Sequence, residues 1–171
     1  MNRIELSKGE NSSREVAMSN GLTAVVITTF GLSAVSVAKT DTQKSLAVFI
    51  LEKDQSYVGL GAVGFSLSEM PWKLETFIQD KEFFLQALVG IKQEIGWQTL
   101  NYEPSKDLLF PIIDQLTGLV GELTKDKIDE EAAAEWLAAA EEDDPVVDGF
   151  PMCEKHRLLL SLFGCHACND E

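Results

Sequence analysis

The first 152 residues of this 171-residue chain contain neither a cysteine nor a histidine. That absence excludes a disulfide framework through the body. It also removes the thiol nucleophile and the imidazole base from everything but the C-terminal end. Positive charge is scarce as well: 14 Lys and Arg stand against 28 Asp and Glu, a formal net charge of −14. A field of that sign repels phosphate backbones, so direct binding to nucleic acid is not expected. Solubility, or attraction to a basic partner, is the natural use of such charge. The acids are concentrated, with eleven of them and only two lysines in residues 121–150.

One run lacks charge altogether. Residues 21–38, GLTAVVITTFGLSAVSVA, hold no Asp, Glu, Lys or Arg over eighteen positions, the lower limit for a membrane-spanning helix. Ser36-Val37-Ala38 is tolerable as a signal-cleavage site. Against a targeting role, the run is rich in Thr, Ser, Gly and Val rather than leucine. The stretch before it sets Glu5, Glu10 and Glu15 against Arg3, Lys8 and Arg14, with no positive bias. The run therefore reads as two short β-branched strands, 22–30 and 33–39, meeting at Phe30-Gly31. No membrane association is expected.

What is present suits a soluble globular chain of about one domain with a small appendage, at 45% apolar and 25% charged residues. GENSS (9–13) reads as a loop or frayed end. KTDTQKS (39–45) reads as a turn, and LAVFILEK (46–53) as a central strand. A small, mainly antiparallel N-terminal sheet over about 20–67 follows from these signals. From Pro71 the period becomes helical. Phe77, Phe84, Leu85, Leu88, Ile91 and Ile95 recur at helix spacing before Gly96, and Asp80 is a candidate cap within them. Ser105 is a second cap, ahead of a broad stripe from Leu108 to Leu123 in which Pro111 must sit near the start. Asp129 opens a third helix, and residues 141–151 read as a solvated acidic linker. The class is α+β, with a body of 1–150 and a tail of 151–171.

Residues 59–64, GLGAVG, match the dinucleotide-binding glycine pattern only formally. That motif needs a strand before it and a helix opening at its last glycine, whereas Pro71 follows within seven residues. The glycines read as relief in a strand or bulge. No Ser-His-Asp pattern is visible, and no catalytic residue is nominated.

All the soft ligands lie in the tail, as Cys153-x-x-His156, eight residues, then Cys165-x-x-Cys168. Two closely spaced pairs can each bite one ion from a tight turn, and together they make a Cys₃His set. Thiolate with imidazole is a zinc-like donor set, and four protein ligands leave no position for a catalytic water. An iron–sulfur cluster fits the single histidine and short loop less well. The spacing resembles zinc-ribbon and treble-clef modules over the last nineteen residues, with Cys-x-x-His in place of the commoner first Cys-x-x-Cys. His166 is spare and is expected at the surface. Leu158, Leu159, Leu160, Leu162 and Phe163 are expected to dock the tail on the helices or, failing that, on a partner.

The sequence thus points to a cytoplasmic, non-enzymatic zinc knuckle protein acting as an interaction module. Glu141, Glu142, Asp143 and Asp144 are the candidate contact for a basic protein partner. Two other readings stand beside it: an acidic inhibitor that mimics nucleic acid to occupy a basic enzyme, and a metal- or nucleotide-dependent enzyme.

Overall fold

A helix with no charged side chain has no face to offer water, so the rest of the chain must enclose it. In the computed structural model, which describes residues 1–8 and 14–171, the charge-free run forms one such helix, α1 (Asn20–Val37). The GENSS loop lies outside the described residues. The two strands expected at 22–30 and 33–39 are thus corrected to a single helix. The physical reason is a capped start, hydroxyls bonded back along the helix, and cover over its middle, Val26 to Ala34. Ser19 caps the start by accepting from the Leu22 N–H at 3.2 Å. The Thr23 and Thr29 hydroxyls donate to the carbonyls of Ser19 and Val25, each at 2.7 Å, so their polarity is spent inside the helix. Ten consecutive or near-consecutive residues, Thr23 and Val26 to Ala34, are buried on every side. The helix is long and apolar enough to cross a membrane, and more than half of it is buried inside this fold.

The strand expected at 46–53 is also corrected. Thr40 caps α2 (Asp41–Leu51) by accepting from the Gln43 N–H, and residues Ser45 to Leu51 are all buried. A strand buried on both faces and a helix buried all round give the same unbroken apolar run.

The N-terminal sheet exists, but it is made of the flanking residues. β1 (Asn2–Glu5) pairs antiparallel with β2 (Glu15–Met18), Ile4 opposite Val16. β3 (Asp54–Gln55) and β4 (Gly61–Ala62) form a separate short hairpin. β5 (Phe65–Ser66) joins β1 in parallel over two residue pairs, so the three-stranded sheet has the order β2-β1-β5 and is mixed, with the longer pairing, β1 with β2, antiparallel. Gly59 and Gly61 take left-handed backbone (φ 84° and 69°) to turn the hairpin. A Cβ on Gly64 would stand 2.2 Å from the Arg3 carbonyl oxygen, so that glycine lets the chain close on β1. A strand, not a helix, follows these glycines, and the dinucleotide geometry is not formed.

The later helices fall where their periodicity places them. α3 (Phe77–Lys92) lies along α1, with Phe30 and Phe84 rings 4.8 Å apart. Gly90 abuts Ser33, whose hydroxyl donates to the Ala87 carbonyl at 2.6 Å. Asp80 does not break α3; it lies inside the helix, buried, accepting from Thr76 and Gln43. α4 (Lys106–Glu122) begins after Ser105 and carries Pro111 within its second turn. α5 (Glu130–Ala138) is capped by Asp129, which accepts from the Ala132 N–H at 3.0 Å. Trp136 pins α5 to α2 through the Phe49 ring at 5.6 Å and a bond to Glu52 at 3.0 Å. The expected solvated linker is only partly so: Glu141 to Asp143 are exposed, while Asp144, Pro145 and Phe150 are buried. The result is an α+β fold: a small mixed sheet near the N-terminus, five main helices and a C-terminal Cys₃His cluster.

Candidate metal centre

The tail is built from two tight turns and one short helix. In the first turn Met152 pairs with Leu159, the Cys153 N–H bonds the Leu158 carbonyl at 2.9 Å, and Arg157 takes φ 56°. This closes the chain over Cys153 and His156. In the second, Ser161 pairs with Gly164, which takes φ 82°. The return leads into α6 (His166–Asn169), with Cys165 at its N-cap and Cys168 one turn on. The two pairs face each other, and the ligand atoms of Cys153, His156, Cys165 and Cys168 all lie within 4.8 Å of one another.

The shorter edges of this cluster approach those of a tetrahedral site. Cys153 Sγ and Cys168 Sγ are 3.7 Å apart. His156 Nδ1 is 3.6 Å from Cys153 Sγ, 3.6 Å from Cys165 Sγ and 3.3 Å from Cys168 Sγ. With Zn–S near 2.3 Å and Zn–N near 2.0–2.1 Å, a regular tetrahedron has edges of about 3.8 Å for S···S and about 3.6 Å for S···N. The four residues can therefore share one metal ion. Cysteines that share an iron–sulfur cluster instead stand around more than one iron and must be wider apart.

The imidazole is aimed by a carboxylate. His156 is 1% exposed, and its Nε2 lies 2.8 Å from Glu171 Oε1. Lys155 Nζ holds the other oxygen at 2.6 Å. With Nε2–H donating to Glu171, the lone pair of Nδ1 faces the three sulfurs, an outer-shell arrangement typical of metal-bound histidine. The thiols are unequal. Burial pushes Cys165 up to about 12. At Cys153 the upward push of burial is outweighed by hydrogen bonds from the His156 backbone and ring and from its neighbouring thiols, which bring it to about 6. Three thiolates this close repel one another, and a central cation removes that repulsion.

The tail packs onto the body, as its leucines foreshadow. Leu158 and Leu159 are 0% and 2% exposed and belong to the same core as α1 and α2. A Cβ placed on Gly31 would stand 2.7 Å from Leu158 Cδ1 and 2.8 Å from Leu51 Cδ2. Gly31, expected at a break between strands, is the seat of the tail. Leu162 remains exposed.

His166 corrects an expectation. It is buried rather than at the surface, and it joins a polar chain that crosses from the tail to β3. The Ser161 hydroxyl meets His166 Nε2 at 2.9 Å, and His166 Nδ1 lies 3.6 Å from Asp54 Oδ2. Asp54 Oδ1 also accepts from the Ser56 hydroxyl and N–H at 2.6 and 3.1 Å. Burial pushes the Asp54 carboxyl up, but the bonds from His166 and Ser56 overcome it and hold the group near 2. Ser161, His166 and Asp54 have the order of a nucleophile, base and acid, a pattern not visible in the sequence. Each is only 3% exposed, which leaves no room for a substrate carbonyl against the hydroxyl. The chain fastens the tail to the hairpin. Ser161 and Asp54 are 107 positions apart in ordinary residue types, and no spacing marks them.

The acidic candidates divide. Glu141, Glu142 and Asp143 are exposed and, with Asp148, line a shallow depression of about 610 Å³. Asp144 is 6% exposed and accepts from the Val146 N–H at 3.0 Å, so it serves its own turn and is not surface. No family model matches the chain, and neither a curated protein nor a solved structure does.

Proposed function

We propose that this chain is a zinc protein, with Cys153, His156, Cys165 and Cys168 as the complete and structural shell of one Zn²⁺. The observation that carries the reading is the convergence of four donor atoms within 4.8 Å, with Cys153 Sγ 3.7 Å from Cys168 Sγ, His156 Nδ1 3.3–3.6 Å from all three sulfurs, and the histidine already turned by Glu171. Four protein ligands leave the ion no open position for a reacting water. Its work is to hold two turns and α6 in the shape that seats Leu158 on Gly31. We further propose that the protein is cytoplasmic, where thiols stay reduced, and acts as an accessory module. The carboxylates of Glu141, Glu142, Asp143 and Asp148 would draw a basic protein partner.

Elemental analysis of untagged protein, purified without added zinc, tests the first part. One zinc per chain is expected, and metal-free protein with three titratable thiols overturns it. For the second, an oligolysine peptide serves as a probe of the acidic surface. Binding should weaken as salt rises and should weaken further in a Glu141→Gln, Glu142→Gln, Asp143→Asn variant. Equal binding by the variant removes this surface as the contact.

A further inference from the structure

We propose that Cys153 and Cys168 form a peroxide-sensitive pair, whose oxidation to a disulfide expels the metal. The proposal rests on the zinc reading above and assigns that site a modification. Three observations carry it. The two sulfurs are 3.7 Å apart. They are the solvent-facing sulfurs of the centre: Cys168 is exposed and Cys153 partly so, whereas Cys165 is 7% exposed and belongs to the core. Finally, Cys153 and Cys168 come from opposite turns of the tail, so a bond between them replaces the metal as the link across it.

Coordination supplies the nucleophile, because a zinc-bound cysteine is held as thiolate. The Cys168 thiolate, the more accessible, attacks one oxygen of hydrogen peroxide. The O–O bond breaks, an S–O bond forms, and hydroxide leaves. The Cys153 thiolate then attacks the sulfur of the resulting sulfenic acid. The S–S bond forms, the S–O bond breaks, and a second hydroxide leaves. Each sulfur gives up one electron and peroxide takes two. Both hydroxides become water with protons from solvent. Zinc does not change oxidation state. It loses two of four ligands, and Cys165 with His156 cannot hold it alone against water. Thiol reductant and zinc reverse the sequence.

The test begins with purified zinc-loaded protein, its metal content measured first. Absence of zinc at that stage is failure of the metal reading, separate from failure here. Peroxide is then added while zinc release is followed with a chromophoric chelator, remaining thiols are alkylated, and disulfides are mapped by mass spectrometry. The expected result is one zinc released for every two thiols lost, a Cys153–Cys168 linkage, and Cys165 still alkylated. Thiol reductant and zinc added afterwards should restore one zinc per chain. Retention of zinc by the protein under peroxide, or a linkage that includes Cys165, would overturn the proposal.

Discussion

Leu158→Ala separates a tail seated in the core from a knuckle that merely hangs beside it. Leu158 is fully buried, with its Cδ1 against the α1 backbone at Gly31 and next to Leu51. The change removes three carbons, about 2.4 kcal/mol at roughly 0.8 kcal/mol per buried CH₂. A residual cavity adds to this, because the backbone of α1 cannot collapse into the space, so about 3 kcal/mol of destabilisation is expected. For a chain of this size that lowers Tm by about 6–12 °C. Denaturant unfolding gives the free energy directly, from a shift in midpoint at constant slope. Cys153, His156, Cys165 and Cys168 are untouched, so on the proposed zinc reading metal content should stay at one per chain. Leu162→Ala is the matched control. That side chain is 58% exposed in the same tail, and its loss should cost less than about 0.5 kcal/mol. Equal, small effects from both substitutions, with zinc still bound, would refute the docking.

Three other substitutions probe separate parts of the structure. Burial, the largest influence, and nearby Asp144 raise the Glu52 carboxyl to about 7 against the downward pull of its bond from Trp136 and of Lys53, and Glu52 Oε1 is buried without a hydrogen-bond partner. Its ionised form is the one disfavoured in the fold. The cost is therefore absent below the ordinary value of 4.5 and complete once pH has risen past 7. Glu52→Gln should stabilise by about 1–3 kcal/mol near pH 8 and hardly at all near pH 4, read from paired unfolding curves. Gly90→Ala sets about 1 kcal/mol of helix propensity against 1–3 kcal/mol of overpacking and the strained Ser33 bond. The new Cβ would stand 2.0 Å from Ser33 Oγ, so net destabilisation of about 1–3 kcal/mol is expected by the same assay. Glu171→Gln leaves the four ligands in place but weakens the grip on His156 Nε2, and zinc affinity should fall about 10–100-fold in chelator competition, with unchanged affinity counting against the aimed imidazole.

The misread and the well-read halves of the fold differ in one physical respect. The Leu109, Ile112, Ile113, Leu116 stripe of α4 and the spacing in α3 show a period because one side of each helix meets solvent. α1 shows none, because its middle is covered from all sides, and in α2 the residues run unbroken and buried from Ser45 to Leu51. Val25, Val26, Ile27, Thr28 and Thr29 then look like a strand, since β-branching is the only local preference left to read. The caps were the available counter-signal. Ser19 and Thr40 each stand three residues before the N–H they cap, and both precede the run they start. The true strands were short, and β5 has two residues whose pairing with β1 is set some sixty positions away. No local pattern encodes such a pairing.

The Cys₃His cluster was legible for the opposite reason: coordination restricts residue type, and cysteine and histidine occur nowhere else in the chain. Spacing chose His156 as the ligand and left His166 spare, but it did not give the buried role of His166. His156 and His166 each lie beside a cysteine pair, and each could in principle offer a nitrogen. What decides between them is the partner of the second ring nitrogen. Glu171 takes His156 Nε2 and leaves Nδ1 among three sulfurs. Ser161 and Asp54 occupy both nitrogens of His166 and leave it nothing to give a metal. The tail therefore has two anchors of different kinds, a metal centre facing outward and a polar chain facing β3. On the proposed zinc reading, removing the metal abolishes only the first. Leu158 and the His166 chain can then keep part of the tail seated, and metal loss loosens the module without unfolding the α+β body.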